Sequence, residues 1–142
     1  MNDFSIKRKT FEEINIGDKA RFSKTLTEAD MFAFSAITGD FNPIHVDEEF
    51  SKNSFFKRRV VYGMMTSGII NTTLTLLAGA GTIHLSQTLK FTAPVFIGDT
   101  ITVNSEVVNK IPEKNRIIIK TTINKQDGTL VIEGESLLLI PK

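Results

Sequence analysis

The C-terminal part of the chain is a succession of segments rich in Ile, Val, Leu and Thr, and these limit the possible fold more than any other feature. They cover residues 83–91, 100–110, 116–125 and 129–140. In the second segment, Ile101, Val103 and Val107 alternate with polar residues, as in a strand with one buried face. Asp127-Gly128 is typical of a tight hairpin. We therefore predict an antiparallel sheet.

Two helices are predicted ahead of these strands. The longer one begins at Gly63 and runs to about Ala78. Gly68 and several threonines lower its intrinsic helix propensity, so burial must hold it together. The shorter one begins after Thr27, an N-cap residue with an acid three positions later, and ends at Gly39.

The shorter helix is expected to pack through Met31, Phe34 and Ile37, with Phe32 as an optional member. A strand is predicted at 19–26. One long helix, one short helix and antiparallel strands make an α+β fold, and we predict one domain over residues 1–142. The economical arrangement wraps the sheet around the long helix.

The composition argues against several kinds of chemistry. The 142 residues include no cysteine and two histidines, so we expect no disulfide, no thiolate nucleophile and no bound metal. A formal net charge of +1 gives no electrostatic reason to bind nucleic acid. Residues 64–80 are too polar for a membrane span, and residues 1–10 lack the apolar core of a signal peptide. We expect a cytoplasmic protein with no membrane contact.

Residues 40–62 show no clear periodicity and are predicted to be irregular. They include the basic cluster Lys57, Arg58 and Arg59. A solvated loop is the more common explanation of such a run. The alternative is contact with the phosphates of a nucleotide-bearing cofactor.

Asp40 and His45 are the candidate catalytic pair in this segment. An Asp and a His that meet at one water can activate it, one as base and the other as acid. Asn42 can hold the loop by bonding to its own backbone, as in an Asx turn. From these residues alone, a turn acid and a surface or packed histidine remain the more common explanation.

The residues around Asp40 and His45 favour the catalytic explanation over the structural one. Residues 34–51 read F-S-A-I-T-G-D-F-N-P-I-H-V-D-E-E-F-S, which resembles the motif of the MaoC-like, (R)-specific enoyl-CoA hydratase family. The shared features are the aromatic residue, the Thr-Gly-Asp run, Asn-Pro-aliphatic-His, and a small residue six positions after the histidine. The resemblance continues through residues 61–64 and 89–100, so it covers most of the chain.

The resemblance implies a hotdog fold, in which an antiparallel sheet wraps around a central helix, normally as a dimer with acyl-CoA at the subunit interface. It implies that Asp40 and His45 activate one water, whose oxygen adds to the β-carbon of a trans-2-enoyl thioester while a proton reaches the α-carbon. Gly63 matches the family glycine whose amide polarises the thioester carbonyl, and Asn42 holds the loop. The expected enzyme is a hydro-lyase that forms (R)-3-hydroxyacyl-CoA reversibly.

Three further residues are predicted at the substrate pocket. Tyr62 stands where family members usually carry a histidine, and it is expected to alter the pocket and not the core chemistry. Met64 follows the matched glycine. Asn71 stands where many relatives place a small polar residue, so its bulk is expected to limit the acyl chain. No residues are assigned to a cofactor, because CoA would enter as part of the substrate.

Several alternatives stay open. A dehydratase that acts on acyl-carrier-protein thioesters would use the same pair. A thioesterase on the same fold is disfavoured, because such members generally lack the Asp-x-x-x-x-His loop. A non-catalytic acyl-binding module has no reason to keep both Asp40 and His45. We expect a homodimer or a dimer of dimers and a structural role for His84, and the acyl chain length, the carrier and the physiological direction are not determined.

Overall fold

The strands lie close to where the alternating pattern predicts them. A computed structural model describes residues 6–142 of the chain. In chain order its elements are β1 (Lys19–Thr25), α1 (Glu28–Thr38), α2 (Pro43–Val46), α3 (Glu48–Lys52), α4 (Gly63–Gly68), α5 (Ile70–Ala78), β2 (Ile83–Phe91), β3 (Thr100–Ile111), a 3-10 turn (Pro112–Lys114), β4 (Arg116–Lys125) and β5 (Leu130–Leu139). Strands β2 and β4 have the predicted boundaries, and the other three differ from prediction by single residues at their ends.

The five strands form one sheet in the order β1-β3-β4-β5-β2, and every neighbouring pair is antiparallel. This confirms the predicted α+β fold. Strands β1 and β2 are the two edges of the sheet within this chain. None of the helices in residues 6–142 is long and apolar enough to cross a membrane.

One face of the sheet carries the core. Ile101, Val103 and Val107 have no exposed surface, as their alternation predicts, and they pack with Leu74 and Leu77 of α5 in one apolar cluster. Burying each such side chain contributes about 1.5–3 kcal/mol. The sheet is therefore held against the helix mainly by apolar burial.

A chain of three buried hydroxyls also joins the helix to the sheet. Thr73 Oγ1 lies 2.7 Å from Ser105 Oγ, which lies 2.8 Å from Thr121 Oγ1. The Thr73 hydroxyl also donates to the carbonyl of Ile70. These polar side chains are satisfied by one another, so their burial carries little desolvation penalty.

The predicted long helix has the expected extent but not the expected continuity. Helices α4 and α5 meet at Ile69, which keeps helical angles (φ −69°, ψ −17°). The Asn71 side chain donates to the Gly68 carbonyl at 3.0 Å, and the Thr72 amide bonds instead to the Ile69 carbonyl, three residues back. The Asn71 side chain competes for the Gly68 carbonyl, and the backbone therefore forms a shorter-range bond, as in a 3-10 turn, at this point.

The shorter helix has the predicted ends. Thr27 accepts from the amide of Asp30 while the Asp30 carboxylate accepts from the amide of Thr27, which is a complete capping box. Gly39 ends the helix with φ 71°, and its amide donates to the Ser35 carbonyl at 2.8 Å. Glycine adopts this left-handed conformation without a steric penalty.

The predicted buried face of α1 is partly wrong. Met31 is fully buried and Phe34 is half-buried, but Phe32 and Ile37 are 55% and 83% exposed. Ser35 is buried in their place. The reason lies in the tertiary structure. The Ser35 hydroxyl bonds to the hydroxyl of Tyr62, far along the chain, so the buried face of α1 includes a polar residue and is not purely apolar.

The prediction of an irregular segment at 40–62 is also partly wrong, because it contains α2 and α3. The Asn42 side chain caps α2 by accepting from the amide of Ile44, and Pro43 occupies the first helical position. The Asp47 side chain caps α3 by accepting from the amide of Phe50. Each short helix is thus started by a local polar cap.

Strand β2 approaches its neighbour very closely at one point. Gly134 on β5 pairs with Leu89, and a Cβ at this glycine would lie only 2.1 Å from the backbone oxygen of Thr88. Only glycine permits this approach. The close contact positions the end of β2, where Phe91 lines the cavities described below.

Asp99 anchors the turn that leads into β3. Its side chain is 14% exposed, accepts hydrogen bonds from the Phe96 amide (2.9 Å) and the Gln126 side chain (2.8 Å), and pairs with Lys125 at 3.3 Å. Burial opposes ionisation of Asp99, but these bonds and the lysine outweigh it, so the pKa of the carboxyl lies below its usual value.

We expect Asp99→Asn to lower the free energy of unfolding at neutral pH by about 1–3 kcal/mol, because bonds to a charged acceptor become weaker. A lowered folded-state pKa stabilises the protein above the unfolded-state pKa, about 3.9, and this stabilisation is lost as the pH falls through the folded-state pKa. Urea unfolding of both proteins at a series of pH values measures the difference. A difference that does not shrink on acidification would contradict the assignment. The control is Glu12→Gln, at an exposed side chain that has no hydrogen bond or ion pair within residues 6–142.

Candidate active site

Asp40 lies in the turn that follows α1, where local hydrogen bonds leave part of its carboxylate free. Its amide donates to Thr38 Oγ1 at 3.2 Å, and its Oδ1 accepts from the Asn42 amide at 3.0 Å. In the part of the chain that the structure describes, no donor approaches Oδ2. The Asn42 side chain in turn accepts from the Ile44 amide at 3.3 Å. Asp40 therefore presents one carboxylate oxygen to solvent or ligand from a defined backbone.

His45 lies in α2, and its tautomer follows from one contact. Nδ1 is 2.7 Å from the carbonyl oxygen of Val60, which can only accept, so Nδ1 carries the hydrogen. The Val60 amide donates to the Ile44 carbonyl at 3.2 Å, so the backbone of Val60 is hydrogen-bonded to α2 at two points. In the neutral ring, Nε2 then has a free lone pair, and within residues 6–142 no protein group bonds to it. Nε2 can accept a proton.

The structure brings Asp40 and His45 together at one cavity. This open cavity has a volume of about 590 Å³ and is lined by Phe34, Thr38, Asp40, His45, Tyr62, Gly63, Met64 and Phe91. A neighbouring cavity of about 430 Å³ shares His45, Gly63 and Phe91 with the first. Volumes of this size suit a small-molecule ligand. The two candidate groups thus face space that a substrate can occupy.

Gly63 borders both cavities at the start of α4. Among the described residues its amide has no hydrogen-bond acceptor. A helix N-terminus presents such unpaired amides together with a partial positive charge. A Cβ at this position would lie 2.7 Å from Cε1 of Phe91, so the glycine also allows the aromatic ring to approach the backbone.

Arg59 holds the His45 helix in place, a role that the sequence does not indicate. Its Nε donates to the carbonyl of His45 at 2.7 Å, and its two terminal nitrogens bond to the Glu28 carboxylate at 2.6 and 3.1 Å. Arg59 is only 14% exposed, so the prediction of a solvated basic loop is wrong for this residue. A planar guanidinium suits this bidentate geometry. The clamp joins the start of α1 to the end of α2.

The remaining predicted residues lie in different surroundings. Met64 lines the larger cavity, whereas Asn71 is exposed and lines neither cavity of the single chain. His84 is exposed on the edge strand β2, away from both. In the basic cluster, Lys57 is exposed and Arg58 stacks over the ring of Phe96, 4.2 Å from its centre. The pocket role of Asn71 stays a prediction.

Tyr62 lies beneath the site and offers little surface to a ligand. It is 2% exposed, its ring stacks on that of His45 with 3.9 Å between centres, and its hydroxyl donates to the carbonyl of Asp40 at 2.6 Å. The sequence predicts Tyr62 at the substrate pocket but gives no sign of these contacts. These contacts join residues that are far apart in the chain, so no local sequence pattern indicates them.

The fold and the site together define a class of protein, an α+β domain with an Asp/His pair beside a helix N-terminus. Comparison with known proteins identifies the class further. Residues 11–129 match the family model described as MaoC like domain. The "(R)-specific enoyl-CoA hydratase" of Rhodospirillum rubrum is 41% identical over 132 residues, which cover 92% of this chain and 91% of that protein.

Two other comparisons agree. The tomato protein "3-hydroxyacyl-[acyl-carrier-protein] dehydratase FERN, mitochondrial" is 34% identical over 97% of this chain and 84% of its own length. The solved structure of "R-Hydratase PhaJ1 from Pseudomonas aeruginosa in the unliganded form" superposes with a TM-score of 0.89 and 36% identity, covering 96% of this chain and 88% of that one. The chain belongs to the MaoC-like family. It is a hydro-lyase with the hotdog fold, as the resemblance implied.

Proposed function

We propose that this enzyme hydrates trans-2-enoyl-CoA to (R)-3-hydroxyacyl-CoA and catalyses the reverse dehydration, with Asp40 and His45 activating one water. The observation that carries the proposal is that both groups line one cavity, each with a free acceptor atom. The identity to an (R)-specific hydratase over almost the whole chain supports the reaction type.

The chemistry follows from those free atoms. A water held between Nε2 of His45 and Oδ2 of Asp40 gives up a proton to one of them as its oxygen bonds to the β-carbon of the enoyl thioester. The electron pair of the double bond moves toward the thioester, and the proton taken from the water is passed on to the α-carbon, so the pair returns to its starting protonation state. The net change is addition of one water. General acid–base assistance of this kind is worth about 10²–10⁴ in rate.

Gly63 is proposed to stabilise the charge that develops on the thioester oxygen. Its unpaired amide lies at a helix N-terminus and in the wall of both cavities. A donor that is already oriented stabilises an enolate-like state without reorganisation. The role of Asn42 is to keep the Asp40 turn and the start of α2 in register through its own amide and side chain.

The same enzyme is proposed to work as a homodimer. Among the described residues, strand β2 pairs with β5 alone, so its other edge has no strand partner there. Strand β2 displays Ile83 and Leu85, which are 47% and 41% exposed. Met64 on α4 and Leu76 on α5 are also at least half exposed. An open strand edge beside exposed apolar side chains favours pairing with a second copy.

The experiment measures loss of enoyl absorbance from crotonyl-CoA with purified protein of known oligomeric mass, followed by chiral analysis of the product. Turnover with an (R)-3-hydroxy product is the expected result. Absence of turnover on short and medium enoyl-CoA chains would overturn the proposal. The 34% identity to an acyl-carrier-protein dehydratase supports a second candidate. Turnover only with crotonyl-acyl-carrier-protein would select that candidate.

A further inference from the structure

Within residues 6–142, the buried side chain of Tyr62 contacts both members of the candidate pair. Its hydroxyl donates to the Asp40 carbonyl at 2.6 Å, since a carbonyl can only accept. The same hydroxyl oxygen lies 2.8 Å from the Ser35 hydroxyl, which also reaches the carbonyl of Met31 at 2.9 Å. The Ser35 proton is therefore divided between two acceptors. These bonds tie the Asp40 backbone to the buried side of α1.

The ring of Tyr62 acts on the other member of the pair. It stacks on the His45 imidazole at 3.9 Å between centres and 30° between planes. The centre of its ring also lies 4.9 Å from the centre of the Phe34 ring, with 47° between the two ring planes. The hydrogen bond from Nδ1 to Val60 fixes one point of the imidazole, and the stacked ring fixes its plane. Together they determine where Nε2 points.

We propose that Tyr62 is a positioning residue of the hydration reaction, which sets the backbone of Asp40 with its hydroxyl and the plane of His45 with its ring. This inference rests on the proposed function. A single rigid side chain then fixes the relative placement of the two groups that must share one water. Tyr62 offers only 2% of its surface to the cavity that it helps to line, so it acts through Asp40 and His45 and not as a reacting group.

The expected effect separates positioning from folding. Tyr62→Phe removes only the hydroxyl. Ser35 keeps its bond to the Met31 carbonyl, and the carbonyl of the exposed Asp40 can accept a hydrogen bond from water. The free energy of unfolding is therefore expected to change little. Misplacement of a reacting group by about 1 Å costs about 100-fold in rate. We therefore expect kcat to fall about 10- to 100-fold while KM changes less than about twofold. Tyr62→Leu, which also removes the ring, is expected to lower kcat further.

The matched control is Thr121→Val. It also deletes one buried hydroxyl that bonds to a serine, but in the core network away from the cavities. Its kcat should equal that of the wild type. A similar fall of kcat in Thr121→Val would show that general loosening of the fold explains the effect, and this result would overturn the inference. Wild-type kcat in Tyr62→Phe would do the same.

A spectroscopic measurement keeps the inference independent of turnover. The chain has two histidines, so His84→Gln assigns the imidazole signals of His45. Tyr62→Leu should move these signals, because the stacked ring is lost. Tyr62→Phe should move the amide nitrogen signal of Phe41, which follows the Asp40 carbonyl. If the wild type does not turn over, the proposed function fails by itself. Unmoved signals in both variants would overturn the positioning role whatever the turnover.

Discussion

Replacement of Asp40 by Asn is expected to lower kcat for crotonyl-CoA by about 10³-fold or more without changing the stability of the fold. An amide oxygen can still accept from the Asn42 amide, so the turn is kept. The other oxygen becomes an NH₂ group, which cannot take a proton. Asp40 is exposed, so the loss of its charge has little effect on folding.

His45→Asn is expected to act in the same way. The shorter amide can still donate to the Val60 carbonyl, in place of Nδ1, but it has nothing at the position of Nε2. Because the two groups act on one water, the double variant should be hardly slower than either single one. Steady-state kinetics and thermal unfolding of all three variants measure these effects.

The control for the charge change is Asp127→Asn, at the hairpin between β4 and β5, which should keep full activity. Retention of more than about a tenth of the wild-type kcat in Asp40→Asn or His45→Asn would contradict the assignment. Fully additive losses in the double variant would mean that the two residues assist separate steps and do not share one water.

The sheet could be predicted from the sequence because its signals are local. Alternation along residues 100–110 assigns the buried face, and Asp127-Gly128 assigns the hairpin. The caps Thr27 and Gly39 likewise fix α1 through contacts within the helix itself. In each case the information lies within a few residues of the element.

Local signals for the short helices are also present, although the lack of periodicity in residues 40–62 predicts an irregular segment. Asn42-Pro43 is an N-cap followed by the residue favoured at the first helical position, and Asp47 is followed by two acids at the start of α3. Helices of four and five residues offer too few positions for a periodic pattern. Capping chemistry alone indicates them.

The supporting contacts of the site could not be predicted. Arg59 reaches Glu28 across 31 positions, and Tyr62 reaches Ser35 across 27. A run of basic residues usually lies in solvent, so no local sequence feature distinguishes Arg59 from Lys57 in the same cluster. The motif identifies the candidate pair, whereas tertiary packing decides what holds it.

Gly63→Pro, compared with Gly63→Ala, isolates the amide that is proposed to bind the thioester oxygen. Gly63 is the first residue of α4, where proline is well tolerated, and Tyr62 before it has φ −57° and ψ 124°, which suit a residue that precedes proline. Both variants add a Cβ that displaces the half-exposed ring of Phe91. Only proline also removes the N–H.

We expect kcat of Gly63→Pro to be about 10²–10³-fold below that of Gly63→Ala, because loss of one oriented donor raises the barrier by about 2.7–4 kcal/mol. Both variants should unfold at similar temperatures, since their steric effects on Phe91 are alike. Gly63→Ala itself should be slower than the wild type, and Phe91→Ala in the same chain should restore part of its rate by removing the clash. Equal kcat in the proline and alanine variants would show that the amide of Gly63 does not assist the reaction and that the glycine serves only to admit Phe91.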